Sequence, residues 1–273
     1  MKTSANLSRR SFLTTAAAGA GVVLLAGCSS GSDTADEGSA GSAASGETYT
    51  IATDTTFAPF EYADENNEYV GIDIDMLYAI AEDQGFQVDL DALGFQAATE
   101  AVQSGQADGI IAGMSITEER KETFDFSDPY FDSTVCCAAD PDSGITSLED
   151  LEGLNVAVKI GTMSADWAES IADEYGFTMT TFETSDMMYQ EVGTGNSAAC
   201  FEDTPVMEYA IATGSVSLEV IADCGTDSEF ASQYGFGVKK GENAELLEMF
   251  NAGLANIRED GTYDEIVATY LGE

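Results

Sequence analysis

From Tyr49 onward, short apolar runs alternate with segments whose apolar residues recur at helical spacing. Tyr49-Thr50-Ile51-Ala52-Thr53 reads as a strand. Phe60 to Ala63 and Tyr69 to Ile72, joined by the polar run Asp64 to Glu68, read as a hairpin. Ile74, Leu77, Tyr78 and Ala81 mark a helix that Gly85 stops. A strand at Phe86 to Leu90, a helix at Ala97 to Gln103 and a buried strand at Asp108 to Met114 follow. Thr117-Glu118-Glu119-Arg120 has the form of a helix cap with acids in its first turn.

The second half repeats this grammar. Ser147-Leu148-Glu149-Asp150 opens a short helix, Leu154 to Ile160 is a buried strand, and Gly161-Thr162-Met163 turns into a helix reaching Gly176. Strand, helix and strand continue through Phe177 to Phe182, Met187 to Val192 and Ala198 to Phe201. A helix from Asp203 to Thr213 and strands at Ser217 to Ile221 and Tyr234 to Lys239 come next. Two helices close the chain, one carrying Leu246, Phe250, Leu254 and Ile257, the other running from Thr262 to Tyr270. Strands alternating with helices predict α/β sheets with a ligand at the carboxyl ends of strands.

The first 47 residues lie outside this pattern. Ser8-Arg9-Arg10-Ser11-Phe12-Leu13 precedes an uncharged apolar stretch ending in Leu25-Ala26-Gly27-Cys28. That order predicts an export signal over 1–27, twin-arginine in character, and Leu-Ala-Gly-Cys resembles a lipobox. Cys28 is then the lipidated first residue of an extracytoplasmic protein held at the cell membrane. Residues 28–47 hold no large aliphatic residue, so they predict a flexible tether. The rest is long enough for two lobes.

Charge sharpens the picture. The chain has 9 Lys+Arg against 50 Asp+Glu, a net charge of −41. Such a surface excludes nucleic acid as a partner. With Lys2, Arg9 and Arg10 in the leader, the cations left are Arg120, Lys121, Lys159, Lys239, Lys240 and Arg258. Histidine is absent, which removes the Ser-His-Asp and Cys-His arrangements and any His-based zinc site. Cys136, Cys137, Cys200 and Cys224 predict disulfides in an exported protein, with three possible connectivities. Cys136 and Cys137, adjacent in one strand, should face opposite ways. No metal or other cofactor is expected.

Five stretches then carry a resemblance. They are Ala52 to Glu61, Val70 to Asp75, Gly113 to Lys121, Phe124 to Tyr130, and Glu259 to Ile266. In this order they resemble the family-3 extracellular solute-binding proteins, the polar amino-acid receptors of ABC importers. The resemblance implies a type II periplasmic-binding-protein-like fold: two α/β lobes on two hinge strands, with the ligand cleft between them. Residues 48–131 and 232–273 would form one lobe, 132–231 the other. Its implied partners are a free amino acid, a membrane permease and its ATPase, and it implies a monomer with no catalytic residues.

The same resemblance, with the chemistry of each side chain, gives a candidate pocket. Arg120 would pair bidentately with the ligand carboxylate, helped by the turn Gly161, Thr162 and Met163 at a helix start. Asp203 would take the ammonium, although its place at a helix start also suits an N-cap. Gly113, Ser115 and Thr117 would contribute backbone and hydroxyl contacts. Phe57 and Phe95 would sandwich the ligand stem. Asp54 and Lys159 resemble the side-chain-reading residues of glutamine-binding members, since an acid and an amine satisfy the two ends of a carboxamide. Glu202 is an extra acid beside Asp203, which favours a polar or cationic side chain. Glutamine is the first expected ligand, cystine or a basic amino acid the next. A dehydratase acting on cyclohexadienyl substrates, or an amino-acid-sensing lipoprotein, are the alternatives on the same scaffold.

Overall fold

The computed structural model describes residues 46–272. The export signal, Cys28 and the tether as far as residue 45 lie outside the described residues. The first part of the fold contains β1 (Thr48–Thr53), β2 (Thr56–Phe57), β3 (Glu61–Ala63), β4 (Tyr69–Val70), α1 (Ile72–Gln84), β5 (Gln87–Ala92) and α2 (Phe95–Ser104). It continues with β6 (Gly109–Ile110), β7 (Phe124–Phe126), β8 (Phe131–Ser133) and β9 (Val135–Ala139). Next come β10 (Asn155–Lys159), α3 (Met163–Tyr175), β11 (Thr178–Phe182), α4 (Ser185–Gly193), β12 (Ala199–Asp203) and α5 (Thr204–Ala212). The last elements are β13 (Glu219–Asp223), β14 (Ser232–Tyr234), β15 (Gly237–Lys239), α6 (Ala244–Glu259) and α7 (Thr262–Leu271).

These strands build two five-stranded sheets of matching design. The first has the order β5-β1-β6-β15-β7, the second β11-β10-β12-β9-β13. In each, two parallel pairings sit beside antiparallel ones: β1 runs with β5 and β6, and β10 with β11 and β12. The chain leaves the first sheet after β7 and re-enters it at β15. Between the sheets, β8 and β14 pair antiparallel, Phe131 opposite Tyr234 and Ser133 opposite Ser232.

Helices cover both faces of each sheet because the central strands are apolar on both sides. On one face of the first sheet, α1 and α6 bury Met76, Leu77, Ile80, Phe250 and Leu254. The Phe236 and Phe250 rings stack there with centroids 4.4 Å apart. On the other face, α2 buries Phe95, Ala98 and Val102 against Ala52, Ile110 and Phe124. In the second sheet, α3 covers Val156, Val158 and Phe201 with Trp167, and α4 covers Cys200 with Met188. A first turn on α3 is capped by Thr162, whose hydroxyl accepts from the Ala165 N–H at 3.2 Å, and Gly176 ends that helix.

Three local expectations are corrected. The helix expected after Thr117 is a single 3-10 turn, Arg120–Glu122. Thr117 does cap it, accepting from the Arg120 N–H at 3.1 Å, but Phe124 is drawn into the apolar layer beneath the sheet and the chain becomes β7. The strand expected over Tyr234 to Lys239 is broken at Gly235-Phe236, where the chain passes from pairing with β8 to pairing with β6 and β7. The expected disulfides are absent: Cys136, Cys137, Cys200 and Cys224 are free. Strand alternation sends Cys137 to one face of the second sheet and Cys136 with Cys200 to the other, so neighbours in sequence face different cores. Thiol titration in denaturant without reductant should find four thiols in a domain beginning after Cys28. Two or fewer would mean that bridges form.

Candidate functional site

Polar residues cluster where strands end. β1 runs into Asp54, β6 into the segment Ala112 to Ser115, β10 ends on Lys159, and β12 ends on Glu202 and Asp203. All of these except Ala112, Gly113 and Met114 are polar or charged groups, and all are buried. Burying so many ionisable groups is expensive unless each finds a partner. Their partners define the site.

Asp54, Phe57, Phe95, Ala112, Gly113, Ser115, Arg120, Lys159, Thr162, Met163 and Asp203 line one cavity between the two sheets, of about 10 Å³. That is close to the room one water needs, so the opposing walls are in contact. The Lys159 ammonium pairs with the Asp54 carboxylate from the other sheet, both residues fully buried. The Arg120 guanidinium donates to the Ser115 carbonyl at 2.8 Å and, across the cleft, to the Gly161 carbonyl at 3.0 Å. Each cation also lies over an aromatic face. Lys159 Nζ is 4.8 Å from the Phe57 centroid and the Arg120 guanidinium 5.2 Å from that of Phe95. Burial pushes the Arg120 guanidinium down, opposed by the charges of Asp166 and Asp203. Burial also pushes the Lys159 ammonium down, but Asp54 and Glu202 outweigh it and the net shift is upward.

Asp203 caps nothing, although it stands at the start of α5. Its Oδ2 instead accepts from the Tyr234 hydroxyl at 2.5 Å, and Tyr234 in turn is 2.9 Å from Ser133 Oγ. Burial and the adjoining Glu202 push the Asp203 carboxyl up to about 7, against the hydrogen bond from Tyr234 and the charges of Arg120 and Lys159. Ser115 offers its carbonyl to Arg120, while its hydroxyl accepts from Ser232 Oγ at 2.9 Å.

Gly113 forms the floor with φ +52, and a Cβ there would stand 2.3 Å from the Phe57 ring. Its N–H donates to Asp73 at 2.8 Å.

Three predicted residues lie beside the cavity rather than on it. Thr117 spends its hydroxyl on the 3-10 turn, and Gly161 contributes only the carbonyl that Arg120 holds. Glu202 points into the second sheet's helical layer, accepting from Ser185 Oγ at 2.8 Å, Tyr189 OH at 3.1 Å and the Asp203 N–H at 3.0 Å. Sequence reasoning missed Tyr234, Ser185, Asp73 and Glu61. Tyr234 lies in a predicted strand and Glu61 and Asp73 in the stretches that carry the resemblance, but nothing in a one-dimensional pattern told which polar side chains would turn inward.

Size alone does not mark the site. Two roomier grooves, about 860 Å³ behind β8 and β14 and about 700 Å³ between the β2–β4 hairpin and α4–α5, contain no Lys or Arg among their lining residues. A smaller groove beside β7 does carry Lys121, Lys240 and Asp125, but its two lysines are exposed, whereas the cleft buries Lys159, Asp54 and Asp203 beside aromatic faces.

Known proteins share this design. The chain is 44% identical to the second substrate-binding domain of Lactococcus lactis GlnP in an open conformation, covering 83% of this chain and 96% of that one, with a TM-score of 0.57. It is 36% identical to an ancestral arginine-binding protein bound to arginine, covering 82% and 97%, with a TM-score of 0.74. The arginine-binding extracellular protein ArtP of Bacillus subtilis (strain 168) is 29% identical over 217 residues, 79% of this chain and 83% of its own. The more identical structure, the open one, superposes less well, as contact between the cleft walls in this chain would produce. The fold is that of the type II periplasmic binding proteins, two lobes about a cleft. The profile of the bacterial extracellular solute-binding proteins, family 3, spans residues 49–273, and the chain belongs to that family.

Proposed function

We propose that the cleft binds one free amino acid with a polar side chain, glutamine first, and that the protein passes it to an ABC importer. The observation that carries this reading is the Asp54–Lys159 pair at one end of the cavity, with Arg120 and Asp203 at the other. A zwitterion needs a cation for its carboxylate and an anion for its ammonium, which Arg120 and Asp203 supply. Arg120 uses two of its five N–H donors on carbonyls, so the fork has donors to spare, and opening the cleft frees the one on Gly161. At the side-chain end, Asp54 can accept from a carboxamide NH₂ while Lys159 donates to its oxygen. A cationic side chain would meet the Lys159 ammonium and lose by like-charge repulsion. Phe57 and Phe95 would exchange their cations for the ligand stem.

On this reading residues 48–131 with 232–273 form one lobe and 132–231 the other, with β8 and β14 as the hinge strands. Closure would commit the bound amino acid and create the surface that a permease reads. The Leu-Ala-Gly-Cys motif makes Cys28 the lipid attachment that keeps the receptor beside its importer. Labelled palmitate should enter the wild-type chain and not a Cys28→Ser variant.

A second reading, a basic amino acid, draws support from the relatives named for arginine and from the additional buried acid Glu202. Thermal unfolding against each of the twenty amino acids and cystine separates the two. A ligand at about a hundredfold its Kd adds about 2.7 kcal/mol, a rise of a few degrees. Glutamine giving the largest shift supports the first reading; arginine or lysine doing so would replace it. If none shifts the transition after unfolding and refolding to strip bound ligand, turnover of cyclohexadienyl substrates becomes the next assay.

Two further outcomes test the α-group contacts. Arg120→Ala should weaken binding by roughly 2–5 kcal/mol, because a buried carboxylate is left unpaired; unchanged affinity in calorimetry would sink this assignment. Asp203 binds an ammonium only when ionised, and its carboxyl stands at about 7. As far as Asp203 alone decides it, affinity should therefore hold just above that pH and fall up to roughly tenfold per pH unit below it. A profile flat from about pH 5 to pH 8 would remove Asp203 from the ammonium site.

A further inference from the structure

The floor of the cleft is tied to an unusual pair of acids. β3 turns Glu61 inward, the first turn of α1 does the same with Asp73, and both are fully buried. Asp73 Oδ2 accepts from the Gly113 N–H at 2.8 Å and the Tyr130 hydroxyl at 2.7 Å. Among the described residues, no N–H or O–H donor reaches Asp73 Oδ1 or either oxygen of Glu61. The charged and titratable neighbours are Asp54 at the end of β1, Lys159 from β10 and Tyr130 ahead of β8, with Tyr234 and Tyr263 around Tyr130. The Lys159 ammonium is already held by Asp54 and also serves Glu202 and Asp203, so it is not free to neutralise Glu61.

A carboxylate without protein donors in a low-dielectric interior takes up a proton rather than remain charged. A proton on Glu61 has an acceptor at hand: the Asp73 N–H donates to the Phe60 carbonyl at 2.9 Å, which seats Asp73 beside Glu61, and a hydrogen bond between the two carboxyls contributes to the shift of each. We propose that Glu61 and Asp73 hold one proton between them, Glu61 donating and Asp73 accepting, and that this acid pair positions Gly113 at the cleft floor. Asp73 then accepts from Glu61, Tyr130 and Gly113 together. The arrangement holds Gly113 at φ +52, where its missing Cβ lets the Phe57 ring pack.

The electrostatics agree with that order of titration. Burial pushes the Glu61 carboxyl well above its ordinary range, with the charges of Asp73 and Asp54 adding to the shift and Lys159 opposing it. Burial raises Asp73 less, to about 6, because Gly113, Tyr130 and Glu61 donate to it. Both folded values exceed those of an exposed carboxyl. The stability contributed by the proton is therefore fully present below the unfolded value and is lost as pH rises through the folded value of the pair. Removing the proton would set two charges side by side next to Asp54. The hairpin and α1 would repel, and Gly113 would lose its anchor. Ligand affinity should then fall on the alkaline side, a consequence that rests on the cleft being the amino-acid site.

Infrared spectroscopy tests the proton without any ligand. At about pH 8, where Asp203 has ionised, the wild-type protein should show the C=O stretch of a buried carboxylic acid, and Glu61→Gln should lose it. Calorimetry with glutamine as pH rises above neutral should show wild-type affinity falling by about threefold or more beyond the loss seen in Glu61→Gln, whose own loss is that of the ligand's ammonium. Glu61→Leu is the second variant, since it needs no hydrogen bond. No acid band in the wild type, a band unchanged in Glu61→Gln, or the same alkaline loss in both proteins would overturn the proposal. Failure of both variants to fold would also overturn it, because the fold would then need an acid at 61 for another reason. If no amino acid binds, the assigned function fails, while the infrared band still decides whether the proton is there.

Discussion

A lysine ammonium buried between two sheets must be compensated in every state of the protein, and Lys159 sets the terms for the rest of the cleft. In the closed arrangement its partner is Asp54, which comes from the other sheet. A charge that depends on the opposite wall would be stranded each time the walls part. Glu202 meets that need from within the same sheet: it is held by Ser185 and Tyr189, and Ser185 Oγ is 3.5 Å from the Lys159 ammonium. The Phe57 face covers the same ammonium from the first sheet. Glu202 is therefore better understood as a fixed counter-charge behind Lys159 than as a group that touches the ligand.

The same logic explains why acids accumulate at the ends of these strands. Asp54 follows the last residue of β1, and Glu202 and Asp203 are the last two residues of β12. Every one is compensated by a cation or by hydroxyls: Tyr234 for Asp203, Ser185 and Tyr189 for Glu202, Lys159 for Asp54. The exception is the Glu61–Asp73 pair, where a proton takes the place of a counter-ion.

Much of this could be seen in the sequence, for a physical reason. Strands that are apolar on both faces end abruptly in polar residues, so Asp54, Lys159 and Asp203 stand out against their neighbours. The scarcity of cations made Arg120 and Lys159 conspicuous as well. The local patterns that failed did so where tertiary packing outweighed a capping or strand signal. Thr117 caps a turn that β7 cuts short, and Gly235 ends a strand run so that the chain can change partners. The cysteines suggested bridges because of compartment, yet strand alternation points the adjacent pair at different cores. Glu61 and Asp73 were invisible as a pair because they lie in different elements, and only the fold aims them at each other.

In the closed cleft the site's own groups satisfy one another. Arg120 holds the Gly161 carbonyl, Lys159 holds Asp54, and the two aromatic faces are covered by these same cations. An incoming molecule must therefore replace interactions that already exist rather than fill unpaired sites. Affinity is then a difference between two well-compensated states, and selectivity follows from how completely each ligand group makes good the bond it displaces. A carboxamide between Asp54 and Lys159 offers a donor to one and an acceptor to the other. An aliphatic side chain offers neither and would leave a buried ion pair pried apart. A cationic one serves Asp54 but strands Lys159 on Glu202 alone. Self-closure thus penalises poor ligands through the protein's own interactions, without a steric barrier at the cleft mouth.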